Sequence, residues 1–310
     1  MSNPRLTSLG RTLPQSWQQA LVARARGLDP LGLIADLFLS YPRDADGLDP
    51  VLARRSFYLV QETVCRYFRM QVIGAENIPP GRSMIIGCHS GVVAWDAACL
   101  VVALYRATGR FSRNAGDRFF GRFAAVERFL GARGAVVGEA SRLESFLRRD
   151  EMVVLFPGGA MDMTRPIWER YRVKPHRGFA PGRGGYVKIA LRTQTPIVPV
   201  AIVGAEEIHL TLGNLAPLAR ILGLPFLCLV LSPFPLPSRI YIRFGEPLHL
   251  AAPPEAASDQ ETVDRLNEEV RAALQRLIDD TRAHRRGIYW SSYDGVGAGR
   301  PSRTPGAPST

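Results

Sequence analysis

The chain has 310 residues, of which 46% are hydrophobic and 22% charged, so it can build a sizeable buried core. Its 39 Lys and Arg against 28 Asp and Glu give a formal net charge of +11, which favours anionic partners such as phospholipid headgroups or polyanionic substrates. The basic residues are almost all Arg, and no basic run interleaves with aromatics, so nucleic acid is not an expected partner.

The four cysteines (Cys65, Cys88, Cys99, Cys228) are scattered without a Cys-x-x-Cys pair, and the five histidines are equally dispersed. That pattern reads as small buried hydrophobes in a reducing compartment, with no metal site expected. The first thirty residues carry no long apolar core, so a secretion signal is not expected.

Taken in chain order, Asp49 to Arg69 has helical apolar spacing, with Asp49 as N-cap and Pro50 at the first position. Gln71-Val-Ile reads as a short strand, and Glu76 to Gly81 as a loop. Met84 to Cys88 is a buried strand and Ala94 to Arg106 a helix. Arg118 to Leu130 is expected helical, Ala135-Val-Val a strand, and Glu139 to Arg149 an amphipathic helix. Met152 to Phe156 is an apolar strand cut by Pro157-Gly-Gly159. Tyr186 to Arg192 is a helix, and Pro196 to Val203 a strand. Arg239 to Phe244 alternates in the manner of a half-exposed strand, and Glu261 to Ala283 is a long amphipathic helix.

This alternation predicts an α/β fold, with a largely parallel sheet flanked by helices. Three regions are expected: an N-terminal helical, membrane-associating region (1–70), a main domain (71–285), and a disordered tail (286–310) rich in Gly, Pro, Ser and Arg. Ile221 to Ser238 has no charge but is broken by four prolines, so it reads as an apolar excursion into one leaflet, not a spanning helix.

Three clusters carry possible chemistry. The first, Gly87-Cys-His-Ser-Gly-Val-Val-Ala-Trp-Asp96, lies where a buried strand gives way to a helix. Ligands bind at that edge of open α/β sheets. There a His can take a proton from an alcohol and a carboxylate can fix its tautomer. His89 and Asp96 are seven residues apart, roughly 10 Å along a continuous helix. Contact therefore requires His89 to sit in the loop, folded back at Ser90-Gly91. The competing reading is a His in a structural hydrogen bond and an Asp opening a helix.

The second cluster, Leu155-Phe-Pro-Gly-Gly-Ala160, also ends a buried strand. Its glycines can bring backbone amides to a ligand, or form an ordinary tight turn. The third is basic, running from Thr164 to Lys188, and reads either as a phosphate-binding stretch or as a solvated loop.

Together these blocks, followed by Thr195-Pro-Ile-Val-Pro-Val-Ala-Ile-Val-Gly-Ala-Glu-Glu207 and Phe244-Gly-Glu-Pro-Leu248, resemble the glycerolipid acyltransferase superfamily over about residues 73 to 250. The resemblance implies an O-acyltransferase of (phospho)lipid biosynthesis. Such an enzyme moves a fatty acyl group from acyl-CoA or acyl-carrier protein to a hydroxyl of a glycerolipid or lysophospholipid. His89 would be the base and Asp96 its orienting partner, and Pro157, Gly158 and Gly159 would hold substrate, with their amides near the oxyanion. No cofactor is implied beyond the donor. The expected location is the cytoplasmic face of the membrane, peripheral or monotopic.

Two departures stand out. Six residues separate His89 from Asp96 where the family usually has four. The second block usually reads Phe-Pro-Glu-Gly-Thr-Arg; here Gly158 replaces the Glu and Met161 stands in place of the phosphate-holding Arg. Arg165 and Arg118 are the candidates to replace that Arg. Phe-Pro-Gly-Gly is similar to branches acting on neutral acceptors. The rival expectation is a lipid-binding protein that keeps this fold without turnover.

Overall fold

The computed structural model describes residues 43–116, 124–221, 223–224, 226–285 and 287–289. The N-terminal part of the expected membrane region, Arg118 and nearly all of the expected tail lie outside the described residues.

Helix α1 (Pro50–Val60) is capped by Asp49, whose carboxylate accepts from the Val51 and Leu52 amides. It runs into a π-helical turn (Gln61–Cys65), so the single helix expected from 49 to 69 changes its winding midway. Then come β1 (Gln71–Ile73), β2 (Ser83–Ile86), α2 (Trp95–Thr108), β3 (Ser112–Gly116), α3 (Ala124–Gly131), β4 (Ala135–Val137), α4 (Ala140–Arg148) and β5 (Met152–Leu155). The second half carries α5 (Gly185–Thr193), β6 (Ile197–Val203), β7 (Thr211–Asn214), α6 (Ala216–Ile221), β8 (Cys228–Val230), β9 (Tyr241–Phe244) and α7 (Gln260–Ala283).

The main sheet has seven strands in the order β1-β9-β6-β2-β5-β3-β4 among the described residues. From β6 to β4 all neighbours are parallel. Strand β9 joins β6 antiparallel and brings β1 with it. The sheet is therefore mostly parallel, with helices packed on it, as the alternation of elements predicted. Two apolar layers cover its faces. One includes Leu143, Val187, Leu266 and Val270 from α4, α5 and α7; the other includes Phe57, Cys99 and Leu104 from α1 and α2.

Two expectations are corrected. Strand β9 is not half-exposed: Tyr241, Ile242 and Phe244 are all buried, because both apolar layers cover it, Tyr241 packing into one and Ile242 and Phe244 into the other. Strand β3 was not anticipated, since Ser-Arg-Asn-Ala-Gly lacks the β-branched and aromatic residues that signal strands. It is held by tertiary contacts instead: Arg113 is buried and pairs with Asp44 and Glu151. The segment from 221 to 238 builds α6's end and β8, which forms a two-stranded sheet with β7.

Candidate active site

Strands β6, β2 and β5 are neighbours and parallel, so their C-terminal ends open onto one edge of the sheet. Residues 87–96, 156–162 and 204–209 follow those three ends. The blocks that are far apart in sequence thereby meet in one place.

His89 sits in the loop between β2 and α2, and its Nδ1 lies 2.9 Å from Asp96 Oδ2. The same carboxylate oxygen accepts from the Ser90 amide at 2.8 Å. The fold-back that the seven-residue spacing demands is made at Gly91, with φ 85°. A Cβ there would stand 2.6 Å from the Ala205 carbonyl oxygen, so only glycine fits. Asp96 is fully buried in the first turn of α2, where the helix dipole favours a negative charge.

With Asp96 accepting from Nδ1–H, Nε2 carries the lone pair. Among the described residues Nε2 has no hydrogen-bond partner. The ring stacks on Phe156 at 3.9 Å between centroids, 15° from parallel, which fixes its plane. Burial pulls the His89 pKa down, but Asp96's charge and hydrogen bond, with Asp162 adding to them, raise it above the ordinary value.

The turn after β5 is closed by the Gly159 N–H donating to Phe156 O at 2.9 Å. That amide is thus already engaged, which leaves Gly158 N–H of the two expected oxyanion donors. Gly158 has an ordinary helical backbone, φ −70°, so its lack of a side chain answers a steric demand. A Cβ on Gly158 would lie 1.9 Å from Asp162 Oδ2. The buried Asp162 carboxylate therefore fills the space into which a residue-158 side chain would project. It contacts Cys88 Sγ at 3.1 Å, Arg165 Nη2 at 3.0 Å and His176 Nε2 at 2.9 Å. Burial alone would raise its pKa, but His176 and Arg165 hold it below the usual carboxylate value.

Arg165, expected as a phosphate holder, turns inward. Its Nη1 meets Glu206 Oε1 at 2.6 Å and its Nη2 meets Asp162, with 4% of the side chain exposed. Both terminal nitrogens are thus committed to carboxylates, and the residue braces the second block against the end of β6. Glu206 in turn accepts from the Tyr171 amide, and Glu207 binds the Tyr171 hydroxyl and Arg285.

Sequence reasoning singled out His89, Asp96 and the 157–159 turn, and the structure brings these together. It missed Asp162, Glu206 and the stacking of Phe156. One signal was available: two successive glutamates closely follow a wholly apolar strand, and buried carboxylates require buried cations.

Residues 69–203 match the Acyltransferase family model. The uncharacterized protein Rv0502 of Mycobacterium tuberculosis is 34% identical over 239 residues, covering 72% of this chain and 64% of that protein. The uncharacterized protein ML2427 of Mycobacterium leprae is 31% identical over 237 residues, covering 72% of this chain and 63% of that one. A Gallus gallus protein named "DGAT1/2-independent enzyme synthesizing storage lipids" is 24% identical over 208 residues, covering 66% of this chain and 58% of its own. The chain thus spans less than two thirds of the length of these relatives. The fold is similar to that of the 1-acyl-sn-glycerophosphate acyltransferase PlsC of Thermotoga maritima, with TM-score 0.50, 16% identity, and 86% of this chain and 95% of that chain covered. The segment that matches the Acyltransferase family model thus holds His89, Asp96 and the glycine turn.

Proposed function

We propose that this protein is an O-acyltransferase that moves a fatty acyl group from a thioester donor to a hydroxyl of a glycerolipid. The observation that carries the reading is the His89–Asp96 pair, with Nδ1 held by a buried carboxylate and Nε2 without a partner among the described residues. Nε2 takes the proton of the acceptor hydroxyl as its oxygen attacks the thioester carbonyl carbon. The C–S bond then breaks, and the proton leaves on the thiol. Asp96 stabilises the imidazolium between these steps. The Gly158 amide is the nearby candidate for the developing oxyanion.

A neutral acceptor is favoured over a phosphorylated one. Met161 offers no charge, and Arg165 is spent on Asp162 and Glu206. The reading is tested by incubating the full chain with a labelled acyl-CoA or acyl-carrier protein and separate acceptors: diacylglycerol, a long-chain alcohol and lysophosphatidate. Labelled neutral lipid is the expected product. Thioester left intact, with lipid bound, would make the protein a non-catalytic lipid binder and overturn the proposal; free fatty acid alone would make it a hydrolase.

Membrane seating is proposed for the surface around α6 and β8, on the cytoplasmic face. No helix among the described residues is long and apolar enough to cross a membrane. Ile221 is 80% exposed and Phe234 78% exposed, and Leu229 and Leu231 are exposed too. Exposed large apolar side chains in one stretch of chain are costly to leave in water and fit the headgroup–acyl boundary. Ile221→Asp with Phe234→Asp is expected to weaken cosedimentation with lipid vesicles by roughly tenfold or more. Unchanged cosedimentation by the folded double variant would remove this surface from the proposal.

A further inference from the structure

Beside the turn that follows β5 lies a cavity of about 880 Å³, whose wall carries His176, Arg177, Arg183 and Lys188 and no carboxylate. It is joined to the candidate active site by direct contact. Gly178 N–H donates to Pro157 O at 2.9 Å, and a Cβ on Gly178 would stand 2.8 Å from Pro157 Cβ. The loop bearing Arg177 therefore lies flat on the turn next to Phe156, the ring stacked on His89.

The charges in this wall are available to a ligand. Arg177 and Arg183 are exposed, and neither guanidinium has a partner among the described residues. Among the described residues Lys188 Nζ meets only the neutral Gln260 Oε1, at 2.8 Å. Asp264, on the adjoining helix α7, is not in the wall, and it already accepts from the Gly182 amide and the Gln260 side chain. Gly185, in the wall, opens helix α5, whose N-terminal end adds positive potential. Arg177 is held with φ 54°, a left-handed conformation that side chains with a Cβ avoid unless their surroundings impose it. Three unneutralised cations around an open cavity are suited to a ligand with several phosphates.

We propose that this cavity binds the phosphates of a coenzyme A donor, whose thioester end then reaches over the 157–159 turn toward His89. The choice of donor rests on the acyl-transfer reading. A membrane headgroup is the other source of phosphate, but none of the exposed apolar residues around α6 and β8 lines the cavity.

The test is calorimetric titration of the full chain with coenzyme A and with 3′-dephospho-coenzyme A, neither of which requires turnover. Coenzyme A is expected to bind with an affinity that falls as salt rises. Removing the 3′-phosphate, or introducing Arg177→Gln with Arg183→Gln, should weaken binding about tenfold or more. Lys188→Gln gives a third, independent reduction. His89→Ala should bind coenzyme A as tightly as the unaltered chain, so loss of turnover and loss of the donor site are read separately. Coenzyme A binding that the double variant leaves unchanged would overturn the proposal, as would no binding at all. Loss of anionic-vesicle binding alone in the double variant would make the cavity a headgroup site and overturn it equally.

Discussion

Replacing His89 with alanine is expected to lower acyl transfer by about 10²- to 10⁴-fold, the range that a positioned general base supplies. The ring is 17% exposed and Asp96 fully buried, so the variant leaves a buried carboxylate without its imidazole partner. Folding of each variant should therefore be checked by circular dichroism before rates are compared.

A second variant separates positioning from structure. In Asp96→Asn the ring keeps a neighbour of nearly the same shape but loses the charge that raises its pKa. The base works only when neutral, so activity falls as pH drops through the His89 pKa. In the unaltered protein that acidic limb should lie above the ordinary histidine value. In Asp96→Asn it should move to lower pH while the plateau rate falls, because the amide no longer enforces the productive tautomer. A plateau unchanged in both variants, in correctly folded protein, would remove the pair from the mechanism.

The second large effect is expected at Gly158. Alanine there puts a Cβ 1.9 Å from the Asp162 carboxylate, which is buried and tied to Cys88, Arg165 and His176. Neither side can yield without breaking that cluster. Gly158→Ala should cost about 2–3 kcal/mol in chemical denaturation, near the upper end of overpacking penalties. The backbone at 158 is helical, so no conformational argument competes with the steric one. Asp162→Ala alone is itself destabilising, because it removes the carboxylate that Arg165 Nη2 and His176 share and leaves Glu206 as the carboxylate partner of Arg165. In that background, however, Gly158→Ala should cost almost nothing further, since the obstructing group is gone. An equal penalty in both backgrounds would show that Asp162 is not what requires the glycine.

The Gly158–Asp162 relation explains why one part of the site was legible in the sequence and another was not. His89, Asp96 and the glycine turn sit where apolar strands stop, and strand ends are visible as breaks in an apolar run. The replacement of the resembled family's glutamate by Gly158 is visible too, but as a substitution without a structural reason. Only the fold reveals that a carboxylate four residues later fills the space a side chain at 158 would need. The same holds for Arg165: as a member of a basic stretch it reads as a ligand for phosphate, and only tertiary contacts turn it into the brace between Asp162 and Glu206.

The sheet shows the same division. Strands β2, β5 and β6 are runs of apolar residues, and each was recognised. Strand β3 is built from Ser, Arg, Asn, Ala and Gly and gave no such signal. Its pairing is decided by β5 and β4 on either side. Strand β9 was recognised but assigned the wrong exposure, because alternation in sequence does not report that a second layer covers the other face.

The central position of β2 also constrains how the chain folds. It hydrogen-bonds β5 on one side and β6 on the other, and the Ser90 hydroxyl reaches the Ile202 carbonyl across 112 residues. A chain growing from its N-terminus that has been made only as far as β5 holds β2 as an unpaired edge, with neither Ala205 against Gly91 nor Glu206 against Arg165. Pairings across such separations are slow to form and leave strand edges open to other chains meanwhile. The candidate site in this fold is therefore complete only once β6 has docked, and nascent chains halted before residue 197 leave that edge of β2 open to other chains.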